Sequence, residues 1–239
     1  MAIDVDAKSI PERIVTSRLP RIAVLASGRG SNLQAILDAI ASGTLDAEVV
    51  GVFSDKPGCA ALQRVPEAKR WSRDAAAYAT RVDFDADLAD AVAASHPDWI
   101  VCAGYMRILA EGFVARFAGR LLNIHPSLLP KYRGLRTHAR ALEAGDSEHG
   151  ASVHFVVPEL DSGAVIAQAL VPVLAGDDEN ALAQRVLARE HPLLLATLRL
   201  AAAGRIEQRD GRAWRDGHAL FKPLRLTSAD DFTEPTRRP

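Results

Sequence analysis

The stretch RIAVLASGRGSNLQAILDAIA, residues 21–41, decides the fold. Its first part, Arg21 to Ser27, is a short apolar run that Gly28 and Gly30 bring to an end. From Ser31 onward, Leu33, Ile36, Leu37 and Ile40 recur at the spacing of one helical face, so a strand hands over to a helix across a tight loop. A second apolar run, Val49 to Phe53, follows at a distance that a right-handed crossover spans, which predicts parallel pairing with the first. Phe84, Leu88 and Val92 then mark an amphipathic helix before the strand Trp99 to Ala103, and Arg120 to Ile124 reads as another strand. This alternation predicts an α/β fold: an open, mostly parallel twisted sheet with helices on both faces, Rossmann-like in its N-terminal half.

After Ile124 comes HPSLLPKYRGL, residues 125–135, where two prolines and a glycine forbid a regular element. Residues 151–157 and 165–173 read as strands joined by PELDSG, and 179–200 as a long helix. The predicted organisation is a polar leader over 1–20, one domain over 21–222 and a polar tail over 223–239. Residues 205–239 show little pattern.

Lys plus Arg number 29 against 30 Asp plus Glu, so a formal charge of -1 gives no general electrostatic attraction to nucleic acid or to a membrane. Small-molecule partners are expected. The two cysteines, Cys59 and Cys102, lack the spacing of a zinc site or a disulfide framework, which fits a reducing cytoplasm. The leader has no apolar run of signal-peptide or membrane-spanning length.

The loop Ser27-Gly-Arg-Gly-Ser-Asn-Leu33 can bring backbone N–H groups to an anion at the helix N-terminus. Leu33 stands where a dinucleotide loop needs a small residue, and no P-loop lysine follows Gly30, so NAD and ATP are disfavoured. Gly30, Ser31 and Asn32 suit a phosphomonoester; a plain helix cap is the alternative. Asn123, His125 and Asp161 suit acyl transfer, in which an amide N–H and an imidazolium stabilise a tetrahedral oxyanion while a carboxylate favours the charged imidazole. By residue chemistry alone, a hydrogen-bonded structural histidine and an Asx-turn explain them as well. His138, His149 and His154 match no metal-ligand spacing and are expected to be surface or structural, so no metal is predicted. Tyr105 to Leu109 reads as a strand-to-helix corner that either packs or lines the slot of a flat aromatic ligand.

Leu122-Asn-Ile-His-Pro-Ser-Leu-Leu-Pro130 resembles the formyltransferase family that uses 10-formyltetrahydrofolate. The resemblance runs from about residue 21 to 220 and takes in SGRGSNLQ, GYMRIL, THARALEAGDSEHGASVHF and ELDSG in order. It implies transfer of the formyl group to the glycinamide amine of N1-(5-phospho-D-ribosyl)glycinamide by direct attack, a step of de novo purine synthesis. It assigns catalysis to His125 as proton donor, Asn123 as formyl and oxyanion stabiliser, and Asp161 as the group that raises the His125 pKa and orders a water. It also assigns substrate binding to Gly30, Ser31, Asn32 and Glu190. Folate binding falls to Arg81, Met106, Arg107, Ile108, Leu109 and Asn123. The N-terminal half, to about residue 120, then holds phosphate, and the C-terminal half holds folate and the catalytic group. A homodimer is compatible with this resemblance. Asp55, Arg133 and Ala164 depart from residues usual in the family, which are Asn, Pro or Lys, and Pro. Formyltetrahydrofolate hydrolase and a non-catalytic sugar-phosphate-binding protein remain the alternatives.

Overall fold

The computed structural model describes residues 18–232. The opening stretch forms β1 (Arg21–Leu25) and α1 (Ser31–Ala41), with the crossover returning in β2 (Glu48–Ser54). Next come β3 (Arg70–Ser72), α2 (Arg81–Ala94), β4 (Trp99–Cys102), α3 (Glu111–Arg116), β5 (Leu121–His125) and α4 (Thr137–Glu143). The chain continues through β6 (Glu148–Phe155), β7 (Val165–Pro172) and α5 (Glu179–Ala202), then β8 (Ile206–Arg209), β9 (Arg212–Arg215), β10 (His218–Ala219) and β11 (Leu224–Arg225).

Eight strands make one sheet in the order β11-β7-β6-β5-β4-β1-β2-β3. Only β6 runs against its neighbours; the other pairings are parallel, as the alternation predicts. Side chains of β1 show why both faces must be covered. Ile22 and Val24 enter one core with Leu33, Ile36 and Leu194, whereas Ala23 and Leu25 enter a second core with Phe84, Leu88 and Phe113. Successive strand residues point to opposite faces, so α1 and α5 cover one and α2 and α3 the other. Full burial of a side chain such as Phe84 or Phe155 contributes roughly 2–3 kcal/mol.

The C-terminal region corrects the expectation of weak structure and a polar tail from 223. Asp210-Gly211 and Asp216-Gly217, all with positive φ, make the two-residue turns of a three-stranded antiparallel sheet, β8 to β10. Leu224 and Arg225 then pair with Ala167 and Gln168 of β7 and close that sheet edge. Residues 1–17 of the expected leader and 233–239 of the expected tail lie outside the described residues.

Candidate active site

Strand order reverses at β1, which lies between β4 and β2, and this is where an open α/β sheet leaves a crevice at its carboxyl ends. The glycine loop after β1, the loop after β4 and the end of β5 meet there. Gly30 caps α1 with φ 73, and an added Cβ would stand 2.7 Å from the Ala61 Cβ, so both backbone conformation and close approach require glycine. No side chain caps α1, which leaves the first N–H groups of the helix free to bind an anion. Asn32 is buried, its Nδ2 donates to Glu190 Oε2 at 3.0 Å, and its Oδ1 has no protein partner. Burial raises the Glu190 pKa despite that bond. The four residues expected to hold the sugar phosphate therefore lie together.

Ser27 joins this loop to the next. Its hydroxyl donates to Asp55 at 2.6 Å and accepts from the Met106 N–H at 3.0 Å, while Asp85 accepts from the Ala110 N–H. The segment 106–109 is thus pinned at both ends by side chains from other elements. Arg107, Ile108 and Leu109 line a cleft together with Cys102, Tyr105, Asn123, His154 and Asp161. Met106 is largely exposed and touches Ser27 only through its backbone. Arg81, by contrast, stands exposed at the first position of α2 and is absent from the cleft wall, although its charge reaches Asp85.

Register builds the floor. Cys102 lies opposite Asn123, and Asn123 opposite His154, so three strands present one row of side chains on one face. Burial pushes the Cys102 thiol up to about 12, which keeps it protonated at neutral pH. His154, expected to be surface or structural, is buried within the site: its Nδ1 faces the Phe155 carbonyl at 2.8 Å and its Nε2 faces Asn123 Nδ2 at 3.0 Å. With Nδ1 donating, Nε2 accepts from Asn123 and fixes the orientation of that amide. The second amide hydrogen of Asn123 reaches Asp161 Oδ1 at a long 3.4 Å. A substrate oxygen can replace that weak bond.

Asp161 adopts φ 48, an uncommon conformation for any residue but glycine, and Gly163 makes the bend fit because a Cβ there would stand 1.8 Å from the Phe155 carbonyl oxygen. Its carboxylate accepts from the Gly134 N–H at 2.9 Å and lies 3.4 Å from His125 Nδ1 and 3.6 Å from His154 Nε2. Burial opposes its charge, yet the Gly134 N–H and the nearby His154 and His125 rings hold its carboxyl below the ordinary value. These contacts use the carboxylate across the site.

His125 is buried, and its Nε2 donates to the Tyr132 carbonyl at 3.0 Å. Burial lowers its pKa, and this outweighs the upward pull of the Tyr132 bond and of Asp161. Asp161 thus acts in the expected direction, against the effect of burial. Among the described residues no group of His, Cys, Asp or Glu is arranged to hold a metal ion, and no helix is long and apolar enough to cross a membrane.

Comparison with known proteins agrees with this architecture. A phosphoribosylglycinamide formyltransferase of Escherichia coli is 48% identical over 201 residues, covering 83% of this chain and 95% of the relative. The solved structure of a phosphoribosylglycinamide formyltransferase from Coxiella burnetii has a TM-score of 0.80 at 41% identity, covering 85% of this chain and 96% of that one. A glycinamide ribonucleotide transformylase from Symbiobacterium toebii gives 0.80 and 41%, covering 87% and 99%. Residues 20–198 match the formyl transferase family, and with these relatives the chain belongs to that family.

Proposed function

We propose that the protein transfers the formyl group of 10-formyltetrahydrofolate to the amine of N1-(5-phospho-D-ribosyl)glycinamide, yielding formylglycinamide ribonucleotide and tetrahydrofolate for purine synthesis. One observation carries the reading: Asn123, His125 and Asp161 converge beside a cleft walled by 107–109, next to an uncapped helix N-terminus suited to phosphate. The phosphate lies on the N–H groups of Gly30, Ser31 and Asn32, and Glu190 accepts a ribose hydroxyl. The formyl-folate enters along Arg107, Ile108 and Leu109.

The amine nitrogen attacks the formyl carbon and the carbonyl oxygen becomes an oxyanion. Asn123 Nδ2 turns an N–H from the long Asp161 bond to this oxygen. His125 Nδ1 takes the proton that the attacking amine loses, and Asp161 stabilises the imidazolium so formed. The bond from the formyl carbon to the folate nitrogen then breaks, and the proton passes from Nδ1 to that leaving nitrogen. Burial suits His125 to this shuttle, because a group with a low resting pKa gives its proton back readily.

The test is to mix the protein with 10-formyltetrahydrofolate and the glycinamide ribonucleotide and to follow tetrahydrofolate and the formylated product. Stoichiometric appearance of both is expected. Release of formate with no ribonucleotide required would establish a hydrolase instead, and no turnover at all would leave the binding-protein alternative.

A further inference from the structure

We propose that Tyr132 is a positioning residue that decides which nitrogen of His125 gains and loses the proton, resting on the reaction above for its kinetic consequence alone. The backbone of Tyr132 has φ 58, a conformation costly for a bulky side chain. In it the Tyr132 carbonyl receives the His125 Nε2–H at 3.0 Å. A carbonyl oxygen only accepts, so Nε2 keeps its hydrogen whether the ring is neutral or charged. Nδ1, 3.4 Å from Asp161, is then the one nitrogen that titrates.

The strained backbone is held from outside the catalytic cleft. The Tyr132 hydroxyl donates to Asp146 Oδ2 at 2.7 Å, and Lys131 Nζ fixes the other oxygen of Asp146 at 2.7 Å. The tyrosine ring meets buried His149 edge-on, with centroids 6.1 Å apart, and the Arg140 guanidinium lies over it at 5.2 Å. His149 is itself tied to His138 at 3.1 Å. Charged and titratable groups bearing on His125 are thus Asp161 and His154 on one side, and Arg140, His138 and His149 on the other. If the Tyr132 carbonyl turned away, Nδ1 would keep a hydrogen for Asp161 and Nε2 would become the acceptor. Nδ1 would then have no free lone pair with which to take the proton of the amine.

Nitrogen NMR of the ¹⁵N-histidine-labelled full chain, with the His125 signals assigned by their loss in His125→Gln, reads the tautomer directly. Above the His125 pKa the wild type is expected as the Nε2–H form. Tyr132→Ala, still a residue that resists positive φ but without the ring's anchors, is expected to show a mixture with the Nδ1–H form and about a tenfold lower kcat, with KM within about threefold. Tyr132→Gly adopts positive φ without strain and is expected to keep the wild-type tautomer and most of kcat. A side chain that merely fills space would rank alanine at or above glycine. An Nδ1–H tautomer in the wild type, which needs no variant to fold, overturns the proposal. So does an alanine variant that keeps tautomer and rate, or a glycine variant that falls as far as alanine. Absence of formyl transfer by the wild type would overturn the proposed reaction and leave the tautomer measurement to decide on Tyr132.

Discussion

Asp161→Asn isolates the charge of the carboxylate from everything else it does. Asparagine tolerates positive φ better than most residues, so the φ 48 backbone survives, and its side-chain oxygen can still accept the Gly134 N–H. What is lost is a negative charge 3.4 Å from His125 Nδ1. Two unit charges at that separation interact by about 5 kcal/mol at an effective dielectric of about 20. If half of the imidazolium charge has developed in the transition state, the barrier rises by about 2.5 kcal/mol, or about 70-fold in rate. Steady-state kinetics with both substrates should show this loss in kcat, with either KM within about threefold. The His125 pKa should also fall further, since one of its upward influences is gone while burial remains. An Asp161→Asn enzyme with kcat within threefold of wild type would refute the electrostatic role.

Gly30→Ala forces a side chain into φ 73 and sets its Cβ 2.7 Å from Ala61, so it should cost about 3 kcal/mol, lower Tm by roughly 6–12 °C and raise KM for the phosphorylated substrate at least tenfold. Unchanged Tm and KM would contradict the close approach. His149→Gln addresses acid stability. Burial, helped by neighbouring His138, pushes His149 down to about 4, below the unfolded value near 6.5, so the stability it contributes is present above about pH 6.5 and lost as pH falls towards 4. The loss amounts to about 3 kcal/mol, and urea melts at pH 7 and pH 4 should show a pH effect smaller by that amount in the variant. Equal pH effects in the two proteins would exclude His149 as the source.

Alternation and helical spacing carried most of the fold because each is a local property of strand or helix: the 21–41 unit, the helix over 84–92 and the strands at 99 and 121 lie where they are expected. Asn123, His125 and Asp161 were named through motif order; Asn123 and Asp161 line the cleft, and His125 lies beside it, 3.4 Å from Asp161. His154 was not visible, because its place depends on antiparallel register against β5, which no local pattern states. The C-terminal hairpins did leave a local mark, their two Asp-Gly pairs, but strands of two to four residues are too short to show alternation. Arg81, assigned to folate by resemblance, stands exposed at the start of α2 and outside the cleft wall, and sequence alone does not say which way such a side chain extends. The upward pull of Asp161 on His125 was legible, but the opposing effect of burial was not, since burial is a sum over the whole fold.

The row formed by Cys102, Asn123 and His154 couples inheritance of the fold to inheritance of the chemistry. A one-residue insertion inside β6 would turn His154 to the far side of the sheet and bring a hydrophobic neighbour, Val153 or Phe155, against Asn123, while displacing both from the packed interior. Such an error disables the amide and unfolds the protein together. Proteolytic clearance of misfolded chains therefore also removes miswired ones.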